Sequence, residues 1–328
     1  MCCATETERI FMKAAFLDYA TMGPGLNLAP LQVLCPALQV FDNTTDEELA
    51  ERIRDVEYIF TNKVRLPGAL LREARSLRFI GLTATGTDNI DLHTAGDRGI
   101  AVANIRAYCT RSIVEHVIGT LLMLTHSLDR YNAAVHAGKW QRATEFCLLS
   151  YPIREVAGMT LGIVGYGTLG QGVAAAAKAL GMNVVVAARP DATQIPADRV
   201  SFDELLERCD VISLHCPLTA QTRGLFNRAT IGRMRRGAIL INTARGGLID
   251  SAALVEALQS GQLFAAAVDV LTHEPPVHGD PLLEYDGENL IITPHIAWAT
   301  DRARQNAIDE LAANVAAFLA GNTRNRVV

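Results

Sequence analysis

Residues 160–187 restrict the possible folds more than any other stretch of this chain. Thr160-Leu161-Gly162-Ile163-Val164 is a short apolar run of strand type. Gln171 to Leu180 is an alanine-rich run of helical type, and a second apolar run follows from Asn183 to Ala187. Between the first strand and the helix lies Gly165-Tyr166-Gly167-Thr168-Leu169-Gly170. Glycines at this spacing, after a strand and opening a helix, let the backbone approach a pyrophosphate at the helix N-terminus. Outside that context they would mark only a turn. Within it, Gly165, Gly167, Thr168, Leu169 and Gly170 read as a dinucleotide cradle.

The end of the second strand bears on which dinucleotide. A site for NAD usually holds a carboxylate about 20 residues after the glycines, where it accepts from the ribose 2′-OH. Here Ala187-Ala188-Arg189 occupies that place. An arginine suits a 2′-phosphate through its planar, charged fork. NADP(H) is therefore the favoured cofactor. NAD(H) stays possible if Arg189 faces solvent and Asp191 reaches back to the ribose.

At 328 residues the chain is long enough for two domains. Hydrophobic residues make up 49% and charged ones 20%, so sizeable cores are expected, and a net charge of −5 argues against nucleic acid as a main partner. Seven cysteines lack metal-ligand or disulfide-framework spacing, which fits a reducing cytoplasm, and no metal is expected. No signal peptide or bilayer-spanning run is visible; Val117 to Leu124 is too short.

Two runs of alternating strand and helix signals follow one another. The first holds strands at Ala14–Leu17, Leu38–Phe41, Tyr58–Phe60, Phe79–Leu82 and Ile100–Ala103, with helices such as Asp46–Arg54, N-capped at Thr45-Asp46, and Pro67–Arg75. The second begins at Leu161 and continues through Val184–Val186, Val211–Leu214, Ile239–Asn242, Ala265–Val268 and Leu290–Ile292. Such alternation predicts helix-covered parallel sheets. Thr110 to Ala137 reads as one long crossing helix, and Asp301 to Leu319 as a last helix packed back on the first domain. The expected class is α/β, two doubly wound parallel-sheet domains, one flavodoxin-like and substrate-binding, the other of Rossmann type, with the active site in the cleft between them. Residues 1–11 are expected to be a disordered extension, 12–104 with 299–328 the substrate domain, and 105–298 the dinucleotide domain.

Reduction of a 2-oxo acid needs a cation for the carboxylate, a proton donor for the carbonyl oxygen, and a hydride. Arg245, in Thr243-Ala244-Arg245-Gly246-Gly247, can supply the first and polarise the carbonyl. His295, after Pro294, can supply the proton, since an unperturbed imidazole titrates at roughly 6.5. Glu274, before Pro275-Pro276, can hold the imidazole and fix its tautomer. Singly, each could be a solvated loop residue. All three follow strands of the dinucleotide run, where open α/β sheets bind ligands.

These residues resemble the D-2-hydroxyacid dehydrogenase family, from Met12 to the C-terminus. The likeness covers Ala84-Thr85-Gly86-Thr87-Asp88-Asn89-Ile90-Asp91, the glycine loop, His215-Cys216-Pro217-Leu218-Thr219, Ile241 to Gly247, Asp269-Val270, Glu274-Pro275-Pro276 and Pro294-His295-Ile296-Ala297-Trp298. It implies Arg245, Glu274 and His295 in the roles above, backbone donors at Thr85-Gly86 for the substrate carboxylate, and Thr243, Ala244 and Asp269 beside the nicotinamide. It also implies His215, Cys216, Pro217 and Ala297 along the cofactor, Trp298 as a substrate-pocket wall, and a homodimer packed through the cofactor domains, with the apolar helix after Thr110 a candidate contact.

Within the family, the Ala-Thr-Gly-Thr stretch, Trp140, Phe146-Cys147-Leu148-Leu149 and Pro152-Ile153-Arg154-Glu155 look most like glycerate dehydrogenases, or hydroxypyruvate (glyoxylate) reductases. Formate dehydrogenases of the family carry glutamine where Glu274 stands. Many phosphoglycerate dehydrogenases carry a further C-terminal domain that is not expected here. D-lactate or 3-phosphoglycerate chemistry is the alternative, and a nucleotide-sensing corepressor a third reading. His116 reads as a structural helix residue and Cys216 as a packing residue without a base to activate it.

Overall fold

The computed structural model describes residues 12–190, 192 and 194–328. The expectations for residues 1–11 and Asp191 lie outside the described residues. Two compact units emerge, one from the described residues up to Cys109 with Ala299–Val328, the other Thr110–Trp298.

The first unit is a five-stranded parallel sheet of β1 (Lys13–Phe16), β2 (Ala37–Val40), β3 (Tyr58–Thr61), β4 (Phe79–Leu82) and β5 (Ala101–Ala103). Its order, β2-β1-β3-β4-β5, is the flavodoxin-like order. β1, β3 and β4 are buried on both faces almost throughout, which is why they read as unbroken apolar runs. The helices in chain order are α1 (Ala29–Leu34), α2 (Asp46–Ile53), α3 (Gly68–Glu73) and α4 (Leu92–Asp97). Thr45 caps α2, as its sequence predicts, and the structure adds a reciprocal bond from Glu48.

The second unit begins with α5 (Thr110–His126) and α6 (Leu128–His136). Six parallel strands follow: β6 (Thr160–Val164), β7 (Asn183–Val186), β8 (Val211–Leu214), β9 (Ala238–Asn242), β10 (Leu263–Val268) and β11 (Leu290–Ile292). Their order is β11-β10-β9-β8-β6-β7, so the winding reverses beside β6, and the crevice at its carboxyl end falls where the glycine loop starts. The remaining helices here are α7 (Thr168–Ala179), α8 (Phe202–Arg208), α9 (Arg228–Gly232), α10 (Ser251–Gln259) and α11 (Pro281–Glu284). Leu205, Ile212, Leu240, Leu254 and Phe226 form the centre of its core.

The last helix, α12 (Asp301–Leu319), belongs to the first unit. Its Phe318 ring lies 4.9 Å from Phe79 and 6.0 Å from Tyr58, and the buried Asn314 donates to the Asn104 carbonyl at 2.8 Å. The chain end then runs antiparallel beside β5, through Ala103 and Arg326.

Two sequence expectations change. The single helix from Thr110 to Ala137 is two helices, broken at Ser127, whose backbone is left-handed (φ 51°, ψ 39°). The incoming 151–154 segment captures that break. Arg154 N–H donates to the Thr125 carbonyl at 2.8 Å and the Ser127 hydroxyl to the Pro152 carbonyl at 2.9 Å. No glycine or proline announces it. Helix α7 also starts at Thr168, three residues before Gln171, which puts Thr168, Leu169 and Gly170 in its first turn. Truncating the fully buried Phe226 to Ala should cost about 3–5 kcal/mol of stability. Urea unfolding followed by circular dichroism would measure it, and an unshifted midpoint would contradict this account of the core.

Candidate active site

At the end of β6 the backbone turns at Gly165 with φ 96°, and a Cβ there would stand 2.5 Å from the backbone of His215 and Cys216. Only glycine fits this left-handed position against a second loop. Gly170 is needed for another reason, because any side chain would strike the Gly165 carbonyl oxygen. Gly167 is different: a Cβ built on it meets nothing within 4 Å. It is the N-cap of α7 and makes no side-chain capping bond, so the first-turn N–H groups have no cap within the helix. An open cradle in front of a helix N-terminus fits a dinucleotide pyrophosphate.

Beside it, His215 N–H donates to the Val164 carbonyl at 2.7 Å, and the His215 Nε2 lies 2.9 Å from the Ser213 hydroxyl. Burial pushes the His215 imidazole down to about 4, so it stays neutral near pH 7. Burial also raises the Cys216 thiol, which keeps it from acting as a thiolate. His215, Cys216 and Pro217 thus form a rigid uncharged wall next to the glycine loop. At the end of β7, Ala187 and Ala188 are buried and Arg189 is exposed.

The loop after β9 is held by a residue the motif reading did not single out. The buried Asn242 accepts from Ala244 N–H at 3.0 Å and donates to the Arg245 carbonyl at 2.9 Å. The Arg245 guanidinium donates to the Ala244 carbonyl at 2.8 Å, folding the side chain over its own loop. The Thr243 hydroxyl oxygen is sequestered with no hydrogen-bond partner, a polar atom whose satisfaction requires a ligand or water. Thr243 and the Gly167 cradle are both places where the residues fit a bound dinucleotide.

His295 follows β11. Its Nδ1 lies 2.6 Å from Glu274 Oε2, while Glu274 Oε1 accepts from Leu271 N–H at 2.7 Å. One carboxylate oxygen is tied to backbone and the other to the imidazole, so the ring orientation and tautomer are set together. With Nδ1 directed at the Glu274 carboxylate, Nε2 is the ring nitrogen on the side away from it. The His295 backbone is left-handed (φ 57°), a strained conformation for a non-glycine residue, and its N–H donates to the Asp269 carbonyl at 2.8 Å.

Asp269 is 2% exposed, and its carboxylate is committed to the same loop. Oδ1 accepts from Thr293 Oγ1 at 2.5 Å and Ile296 N–H at 2.8 Å, and Oδ2 from Ala297 N–H at 2.9 Å. His116 Nε2 lies 3.2 Å from Thr293 Oγ1. Because that hydroxyl gives its proton to Asp269, the His116 nitrogen is the donor. The Ala297 carbonyl accepts from Ser112 at 2.7 Å, and Trp298 Nε1 donates to the His295 carbonyl at 3.0 Å. Asp269, Ala297 and Trp298 therefore brace the His295 loop. Asn242, Thr293 and Ser112 do comparable work; Asn242 lies within the Ile241 to Gly247 stretch without a role of its own, and the signal of the other two is only a polar side chain beside an apolar run.

In the first unit, Thr85 and Gly86 stand on the turn after β4. The Thr85 hydroxyl donates to the Ile105 carbonyl at 2.9 Å, and Asn104 Nδ2 to the Thr85 carbonyl at 2.7 Å. Among the described residues no three His, Cys, Asp or Glu side chains are grouped to hold a metal ion, and no helix is long and apolar enough to cross a membrane.

The order of these sites along the sheet has a counterpart among known proteins. Residues 118–297 match the NAD binding domain of D-isomer specific 2-hydroxyacid dehydrogenases. The chain belongs to that family, and so is an oxidoreductase that uses a nicotinamide dinucleotide. It is 43% identical over 284 residues to a glycerate dehydrogenase of Methylorubrum extorquens, spanning 86% of this chain and 89% of that protein. It is 40% identical over 326 residues to a hydroxypyruvate reductase of Blautia hydrogenotrophica, spanning 96% and 99%. A crystal structure of a Thermus thermophilus protein matches with a TM-score of 0.84 and 34% identity, over 97% of this chain and all of that one.

Two outcomes follow from this geometry. Thr293→Val removes the donor to Asp269 and should lower turnover about tenfold with cofactor affinity little changed, Thr293→Ser restoring most of it. Steady-state kinetics with cofactor titration reads both, and an unaffected Val variant would exclude the bracing role. A folded-state imidazole pulled from 6.5 to about 4 disfavours protonation, so His215 should erode stability as pH falls from 6.5 toward 4 and do nothing above 6.5. His215→Gln should flatten that part of a stability–pH curve, and an identical curve would contradict the neutral ring.

Proposed function

We propose that this protein reduces hydroxypyruvate and glyoxylate to D-glycerate and glycolate, with NADP(H) preferred over NAD(H). The carrying observation is the His295–Glu274 pair at 2.6 Å, an acid whose tautomer is already set for protonating a carbonyl oxygen. A bound nicotinamide supplies the hydride. Gly165, Gly167, Thr168, Leu169 and Gly170 hold its pyrophosphate, His215, Cys216 and Pro217 flank the nucleotide, and Thr243 and Ala244 meet the nicotinamide end. Asp269 and Ala297 serve that end by bracing the loop beside it.

Arg245 takes the substrate carboxylate and polarises the carbonyl. His295 Nε2 delivers the proton to the forming alkoxide, and Glu274 stabilises the imidazolium before that transfer. Trp298, fixed through its indole N–H, limits the length of the substrate chain. Arg189 supports the NADP(H) preference because the carboxylate that would accept from a ribose 2′-OH is replaced by Ala188.

The protein acts in the cytoplasm as a homodimer. Supporting the dimer, Leu128, Val135, Trp140, Phe146, Leu149 and Ile153 leave a large apolar area exposed on the second unit, with Phe146 at 92%. Supporting a reducing compartment, Cys35, Cys109, Cys147, Cys209 and Cys216 are free thiols.

The testing experiment follows NADPH and NADH absorbance with hydroxypyruvate, glyoxylate, pyruvate and 3-phosphohydroxypyruvate. Fastest NADPH oxidation with the first two is expected, and faster turnover of either other substrate would reassign the substrate. His295→Ala should lower kcat by at least ~100-fold while cofactor still binds. Unchanged turnover would remove His295 from proton transfer.

A further inference from the structure

We propose that Arg199 is a second specificity arginine which, together with Arg189, takes the 2′-phosphate of NADP(H); this rests on the NADP(H) reading above. Arg199 lies outside every motif that the dinucleotide pattern contains. Its guanidinium carbon stands 4.7 Å from the ring centroid of Tyr166, the residue between the first two glycines of the cradle. Stacking on an aromatic face holds a guanidinium in place without using its N–H groups in the ring plane. Asp198 meets its Nε at 3.2 Å, on one edge of the planar fork. The side chain is only 24% exposed, far less than a solvated arginine needs to be.

The backbone explains how so distant a residue in sequence reaches the glycine loop. Val200 N–H donates to the Val186 carbonyl at 2.9 Å, and Ala188 N–H donates to the Val200 carbonyl at 2.8 Å. Val200 thus continues the sheet beside the end of β7, paired with Ala187. Arg189 follows this short ladder on one strand and Arg199 precedes it on the other. Both arginines thus flank the short parallel ladder at the end of β7, the place where a dinucleotide fold reads the adenosine ribose.

Charge favours two arginines there. NADPH differs from NADH by one phosphate monoester, which carries close to two negative charges near neutral pH. One guanidinium neutralises only half of that, whereas two forks balance it and match three acceptor oxygens. With alanine at position 188, the carboxylate that would accept from a ribose 2′-OH is missing, and the exposed Asp198 takes only the Nε edge of Arg199, leaving the outer edge of the fork for the phosphate. Arg199 is preorganised by Tyr166, so little side-chain freedom is lost when the phosphate arrives.

Isothermal titration of NADPH and NADH, without substrate, tests the assignment on the wild type, Arg199→Ala, Arg199→Lys and Arg189→Ala. Wild type is expected to bind NADPH more tightly than NADH. Arg199→Ala should weaken NADPH about tenfold or more and leave NADH within about twofold, as for the loss of one charge-assisted contact. Arg199→Lys should recover only part, since an ammonium keeps the charge without the stacked fork. An NADPH preference kept by Arg199→Ala but lost by Arg189→Ala would overturn the role of Arg199 and leave the cofactor reading intact. Equal weakening of both cofactors by Arg199→Ala would also overturn it, by showing support of the loop instead of phosphate recognition. Wild-type protein that binds NADH at least as tightly as NADPH would overturn the cofactor reading and this proposal together.

Discussion

The carboxylate of Asp269 is the interaction on which the loop that carries His295 depends. A buried charge is tolerable only where donors surround it, and here a hydroxyl and two backbone N–H groups from residues 293–297 do so. The same contacts draw the loop after β11 against the end of β10. They hold His295 in a backbone conformation that it would not adopt alone, and from there its ring meets Glu274. Removing the charge would release the strain and the alignment together.

A similar division of labour recurs along the sheet. Two of the loops each have one polar side chain turned inward to tie them down, next to the residue proposed for the chemistry. Asn242 ties the loop that carries Arg245, and Asp269 ties the loop that carries His295. At the glycine loop the tie is steric: Gly165 admits the His215-Cys216 backbone, and the helix N-terminus is left to face outward. This arrangement fits the side of the sheet on which open α/β folds bind ligands.

Much of this was legible in the sequence because it rests on local pattern. The strands are apolar runs bounded by turns, and the structure moves their ends by only a residue or two. The pairing of Glu274 with His295 was readable from motif and chemistry. The break at Ser127 was not, because it is stabilised by residues 152 and 154, distant in sequence and without local signature. The inward roles of Asn242, Thr293 and Ser112 were hidden for the same reason. A buried polar residue is legible only when its partner is known, and its partners here are mostly backbone groups that any residue carries.

The Glu274–His295 pair lies partly in contact with water, with side chains 33% and 28% exposed. In the proposed reduction that pair ends one proton poorer and with a net negative charge. Solvent can restore the proton directly at the imidazole, without an internal chain of carriers. In that proposal the acid needs no separate proton relay, because the water already in contact with the ring resets it.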